Sequence, residues 1–165
     1  MDIFSHALWG ATIVRTKTLV FGALLAGAAP DLLGSGPGFL YLLLAHHRIW
    51  STTTWILLPG WMVGNYHLWH SLLGAGIFFM LLLFLAERFW ILILPFLLHI
   101  FVDLFTHQGY IWYRLFFPFV RYDINRISGI NWWEHRWIWV TNFGLLILIN
   151  GIIRYRYLVH SNQQS

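Results

Sequence analysis

Residues 89–107 read FWILILPFLLHIFVDLFTH, an almost wholly apolar run that carries His99, Asp103 and His107 at intervals of four residues. On an α-helix, positions four apart lie on one face, about 6 Å apart along the axis. Ionisable side chains inside such a segment are costly and by default indicate a functional site. The stretch therefore predicts a membrane-embedded helix with a stripe of candidate metal ligands on one face.

The composition of the chain favours a membrane protein. Of its 165 residues, 59% are hydrophobic and 10% are charged, whereas a typical soluble domain has about a quarter charged residues. The 11 Trp, 14 Phe and 7 Tyr residues fit the aromatic belts found where a bilayer meets water. There are no cysteines, so disulfides and thiolate ligands are excluded, and a transition metal would need His and carboxylate ligands.

The net charge of +4 comes from scattered basic residues. A nucleic-acid-binding protein usually shows a basic stripe or a recognisable module, and the sequence contains neither. We therefore expect no nucleic-acid partner and take membrane lipids with anionic headgroups as the partners of this charge. The sequence does not indicate an oligomeric state.

Three apolar segments are close to the ~20 residues that cross a bilayer; they span residues 68–86, 89–105 and 137–153. A polar turn at Glu87 and Arg88 would join the first two as an antiparallel hairpin. The earlier segments are shorter, and we expect partial or tilted helices there; they span residues 3–14, 18–29, 39–44 and 55–63. The pattern predicts an all-α, multi-pass transmembrane helical bundle in the cell (inner) membrane. It forms one integral membrane domain over residues 1–158, followed by a polar C-terminal tail over residues 159–165.

Counting membrane crossings along the chain brings candidate ligands from distant segments to the same side of the membrane. They are His6, Asp31, His67, His70, His99, Asp103 and His107. Neutral imidazole and carboxylate suit zinc, manganese or iron. Since His99 and His107 lie about 12 Å apart along a helix, we favour His99 with Asp103 as a ligand pair. His107 would then support a ligand, shuttle protons or bind a second ion.

Neighbouring polar residues can orient these ligands by hydrogen bonds; the candidates are His67, Ser71 and Thr106. Structural roles compete with this interpretation. Asp103 can be a neutral carboxyl in a helix bundle, or pair with Arg48, Arg114 or Arg121. Other histidines are interpreted as interfacial polar groups, namely His46, His47, His135 and His160.

Several motifs together resemble a known family. They are DIFSHALWG at residues 2–10, Pro30-Asp31, YHLWHS at residues 66–71, HIFVDLFTH at residues 99–107, Phe117-Pro118 and GINW at residues 129–132. Their order and spacing resemble the LexA-regulated, membrane-bound metal-dependent hydrolase family, over residues 2–133. Many members carry a second Asp shortly after the Pro-Asp element, where this chain has Leu32 and Leu33. That departure argues against a centre with several ions.

The resemblance implies an all-helical integral membrane protein with a metal site at His6, Asp31, His70, His99 and Asp103. It also implies a distant kinship with zinc-dependent phospholipase C, in which His and Asp hold ions that activate water against a phosphodiester.

We therefore expect a metal-dependent hydrolase, with zinc as the first choice of metal, that acts on a phosphoester of a lipid or lipid-linked substrate. Asp31 or His107 would act as general base, and Arg114 or Arg121 would bind phosphate, because guanidinium matches it bidentately. The alternative is a non-catalytic metal-binding membrane protein, such as a sensor, an assembly factor or a transport component. Transport fits less well, because residues 74–86 and 89–98 contain no polar side chain apart from Trp90.

Overall fold

The computed structural model describes residues 1–46, 59–107, 115–119 and 134–162. All regular secondary structure in this part of the chain is helical, which confirms the predicted all-α class. The α-helices are α1 (Ile3–Ile13), α2 (Val20–Gly34), α3 (Gly36–His46), α4 (Gly60–Trp69), α5 (Leu72–Leu85), α6 (Ile93–Thr106) and α7 (Arg136–Asn162), with a 3₁₀ helix at Glu87–Leu92 between α5 and α6.

The chain divides into two compact units, residues 1–131 and 132–165. In the first unit, α2 is central, because it contacts α1, α3, α4, α6 and the 3₁₀ helix. Helix α6 also packs on α1 and α5. The second unit contains α7, which ends at Asn162 and so continues into the predicted polar tail.

Helices α1 and α2 pack with their backbones in close approach. A Cβ atom at Gly10 would collide with the carbonyl of Ala23, and one at Gly27 would collide with the carbonyl of His6. Small residues permit such contacts between helices in membranes, where van der Waals packing drives association. Ala23 and Ala26 are buried in the same unit. Ala23 and Gly27 of α2 thus lie on the face of this helix that packs on α1.

The first predicted long span is broken. Helices α4 and α5 form a pair bent by 64° at His70 and Ser71. The Ser71 side chain caps α5 by accepting a hydrogen bond from the backbone N–H of Gly74, and a Cβ at Gly74 would collide with the carbonyl of Leu68. This bend separates residues 68–69 from the helix that contains the rest of the predicted span.

Among the described residues, two stretches are long and apolar enough to cross a membrane, Glu87–Thr106 and Arg136–Arg156. They contain the predicted segments 89–105 and 137–153. The bent pair of α4 and α5 would be a third span if it crosses as one. Helices α1, α2 and α3 are apolar but shorter, with 11, 15 and 11 residues, in agreement with the short helices expected in the first half.

Candidate metal centre

Four side chains from three parts of the chain meet inside the first unit. They are Asp31 from α2, His70 from the bend between α4 and α5, and His99 and Asp103 from α6. One possible ligand atom from each lies within 4.8 Å of the others. Helix α6 presents its two residues on one face because they are four apart, and the bend after α4 brings His70 to the same point. The cluster confirms that residues distant in the sequence form a group able to bind a metal ion.

The hydrogen bonds of the two histidines define which ring nitrogen faces the cluster. Nδ1 of His99 lies 2.7 Å from the carbonyl oxygen of Gly27, and Nδ1 of His70 lies 3.0 Å from that of Tyr66. Since a carbonyl only accepts hydrogen bonds, both Nδ1 atoms must carry the proton. In a neutral imidazole, the lone pair is then on Nε2. Metal-binding histidines generally donate their other N–H in this way.

Both Nε2 atoms face carboxylate oxygens. Nε2 of His99 lies 3.2 Å from Oδ2 of Asp103 and 3.9 Å from Oδ1 of Asp31, and Nε2 of His70 lies 3.4 Å from Oδ1 of Asp31. The Nε2 atom of His99 is buried without a hydrogen-bond partner among the described residues. Neutral imidazoles would therefore place lone pairs against carboxylate oxygens, an arrangement that needs a cation between them.

The spacing and the burial of the cluster suit a divalent ion. In a tetrahedral site with bonds of 2.0–2.1 Å, ligand atoms are about 3.3 Å apart, close to the shorter distances observed here. The side chains of His70, His99 and Asp103 are at most 1% exposed, whereas that of Asp31 is 21% exposed. A mixed set of imidazoles and carboxylates fits zinc, manganese or iron, and Asp31 is the partly exposed member of the group.

The other carboxylate oxygen of Asp103 is held by protein groups. Nε2 of His6 lies 2.8 Å from Oδ1 of Asp103, and the amino group of Met1 donates to the same oxygen over 2.6 Å. The hydroxyl of Thr106 donates to it over 3.2 Å, and Nδ1 of His107 lies 3.3 Å away. Burial lowers the pKa of the Met1 amino group, an effect that the Asp103 carboxylate opposes. These contacts leave Oδ2 of Asp103 facing His99.

The structure thus places His6 against Asp103 and outside the four-residue group. The ring of His6 stacks on that of His99, with centroids 3.6 Å apart and an interplanar angle of 20°. Because its Nε2 contacts Oδ1 of Asp103 while His99 faces Oδ2, His6 is arranged to hold Asp103 in position.

The remaining predicted residues lie in different surroundings. The buried ring of His67 lies 5.9 Å from that of Phe117 and 6.0 Å from that of Tyr66, centroid to centroid. The hydroxyl of Ser71 donates to the carbonyl of Leu68 over 2.7 Å, in addition to its cap of α5. His135 is exposed. Several predicted residues lie outside the described residues: His47, Arg48, Arg114 and Arg121, while for His46 and His160 only the backbone is described.

Three participants were not predicted from the sequence: the amino group of Met1 and the carbonyl groups of Gly27 and Tyr66. Every residue carries a carbonyl, so no residue type marks these acceptors in advance.

No family model, curated protein or solved structure matches the chain, so the family resemblance stays a prediction.

Proposed function

We propose that the protein is a multi-pass integral membrane hydrolase that uses one divalent metal ion, zinc in the first instance, to cleave a phosphoester of a lipid or lipid-linked substrate. The observation that carries the proposal is the pair of buried histidines whose Nδ1 atoms are engaged by carbonyls and whose Nε2 atoms face carboxylates. His70, His99 and Asp103 would hold the ion. Catalytic zinc sites typically have three protein ligands and leave a further position to water or substrate.

Asp31 is the group best placed to act on a substrate. Its side chain is 21% exposed, against at most 1% for the three buried groups, so it lies on the side from which a substrate would enter. When bound, the ion would lower the pKa of a coordinated water to about 7 and polarise the phosphoryl oxygen. The Asp31 carboxylate would orient that water and accept its proton.

The exposed surface of the first unit supports a membrane location and a lipid substrate. Large apolar side chains are exposed on several helices, including Phe21 at 71%, Met80 at 64% and Phe84 at 89%. Soluble monomers rarely expose large contiguous apolar patches, whereas lipid tails satisfy such side chains. A protein in the inner membrane with a metal site near the end of α6 would meet lipid headgroups first. The motif resemblance supports the same function.

The test is hydrolysis of mixed phospholipids by the purified protein reconstituted in vesicles. We expect zinc-dependent release of a water-soluble phosphorylated product, abolished by a chelator and restored by the metal. Asp31→Asn should reduce the rate at least a hundredfold, because it removes the base while keeping the shape. Glu87→Gln, which removes a carboxylate from the 3₁₀ helix, is the matched control and should retain the parent rate. Metal-loaded, folded protein with no activity on lipid or lipid-linked phosphoesters would refute the hydrolase.

A second function is favoured by one observation. All four groups lie within 4.8 Å of one another, and four protein ligands close a tetrahedral site, as in structural zinc centres. In that case the protein would be a non-catalytic metal-binding membrane protein. X-ray absorption of the zinc-loaded protein separates the two, because an oxygen ligand that exchanges with added phosphate is expected only for the open site.

A further inference from the structure

Gly27 lies where α1 and α6 both meet α2. Its carbonyl oxygen accepts the hydrogen bond from Nδ1 of His99 at 2.7 Å. Both groups are buried, so water does not compete for this bond. The bond fixes the proton on Nδ1 and turns Nε2 of His99 towards Asp103.

The missing side chain of Gly27 has a separate effect. A Cβ at this position would collide with the carbonyl of His6 and lie close to the Cα of Ala7. Only glycine therefore lets the backbone of α1 lie on α2 at the level of His6. With the two helices this close, the ring of His6 stacks on that of His99, and its Nε2 contacts Oδ1 of Asp103 over 2.8 Å.

We propose that Gly27 is a positioning residue of the metal centre, which through its carbonyl sets the tautomer of His99 and through its lack of a side chain seats His6 against His99 and Asp103. The inference rests on the proposed metal centre but does not depend on its catalysing hydrolysis. Hydrogen bonds of this kind to metal-binding histidines typically contribute 10–100-fold to metal affinity. One backbone position thus controls both the ring that would bind the ion and the ring that holds the carboxylate.

The chain offers a matched control in Gly10. It lies one helical turn after His6 in the same interface, and a Cβ there would also collide with a backbone carbonyl, that of Ala23. Gly10→Ala therefore disturbs the packing of α1 on α2 to a similar degree without touching a residue of the cluster. A purely structural role for Gly27 would make the two variants behave alike.

The experiment measures Co²⁺ binding to the full chain in detergent, together with the visible ligand-field spectrum at saturating Co²⁺. For Gly27→Ala we expect at least tenfold weaker binding and a shifted spectrum. For Gly10→Ala we expect lower thermal stability with the spectrum of the parent. A parent spectrum and affinity in Gly27→Ala, or the same change in both variants, would overturn the inference. A parent that binds no Co²⁺ would instead refute the proposed metal centre.

A second measurement does not require either variant to fold. In the metal-free parent with ¹⁵N-labelled histidine, the resonances of His99 are assigned by comparison with His99→Gln. We expect a proton on Nδ1, the atom that donates to the Gly27 carbonyl. A ring without a proton on Nδ1 would overturn the proposed role of the Gly27 carbonyl, whatever the result with Co²⁺.

Discussion

Nε2 of His70 lies 3.4 Å from Oδ1 of Asp31, while Nδ1 of the same ring is engaged by the carbonyl of Tyr66. A metal ion or a proton can reconcile the lone pair of this histidine with the carboxylate. The two cases assign different roles to the two residues. With a proton, His70 and Asp31 form a structural ion pair; with a metal ion, both are ligands. The consequences for stability and metal binding differ, and they can be measured.

Replacement of Asp31 by Asn distinguishes these cases in metal-free protein. If His70 is neutral, the amide that replaces the Asp31 carboxylate can donate to Nε2, and the metal-free variant should be as stable as the parent or more stable. If His70 is an imidazolium, removal of its partner should destabilise the protein by about 3 kcal/mol. We expect the first result, measured by thermal unfolding with chelator present. A large loss of stability in Asp31→Asn would show that a proton occupies the pair.

Removal of the metal should lower the stability of the parent. A ligand that binds only the folded state stabilises it by RT ln(1 + [L]/Kd), which is about 2.7 kcal/mol at a hundredfold excess over Kd. We expect the unfolding temperature to fall on chelation and to recover when Zn²⁺ is returned. His99→Ala serves as control, since its unfolding temperature should not respond to Zn²⁺. An equal response of parent and variant would place the bound metal elsewhere.

Gly34→Ala should weaken metal binding by about tenfold, in the range seen when the supports of metal-binding histidines are altered. A Cβ at Gly34 would lie 3.1 Å from Nδ1 and Cε1 of His70, so the ring must shift away from its place in the cluster. A competition titration with a chromophoric chelator measures the effect. Gly64→Ala is the matched control, because nothing lies within 4 Å of a Cβ at that position. Equal affinities in the two variants would contradict the placement of His70.

Asn65 links the C-terminal end of α2 to α4. Its side-chain amide donates to the carbonyl oxygens of Leu33 and Gly34 at 2.6 and 2.9 Å. We expect Asn65→Ala to reduce the free energy of unfolding by about 1 kcal/mol, through loss of these bonds. Asn65→Asp should cost more than Asn65→Ala, because a carboxylate would face the two carbonyls. Unfolding curves in which Asn65→Asp is the more stable variant would show that these bonds are not formed.

Two of the three long apolar segments predicted from the sequence lie in stretches that the structure shows as long, apolar helices. Residues 89–105 and 137–153 lie in helical stretches long enough to cross a membrane. Both segments are continuously apolar over nearly the length that a bilayer requires. The run 68–86 is equally apolar, yet its helix breaks at Ser71. There the Ser71 side chain caps α5, and the backbone of Gly74 lies against the carbonyl of Leu68. Hydropathy contains no information on that bend, since it arises from hydrogen bonding and close contacts.

The grouping of His99 with Asp103 followed from helical spacing, and that of Asp31 and His70 with them from the expected topology. The topology and the family resemblance both gave His6 as a ligand, whereas the structure places its Nε2 against Oδ1 of Asp103, and His99 lies against Oδ2. Which oxygen a carboxylate presents depends on packing between distant helices. Residue identity and spacing do not determine it.

The metal content per chain decides whether these residues form a metal centre. Elemental analysis should give one divalent ion per chain for the purified, zinc-replete parent, and none for His70→Ala and Asp103→Ala when these variants remain folded. Full metal content in both variants, or none in the replete parent, would show that His70 and Asp103 do not bind a metal ion.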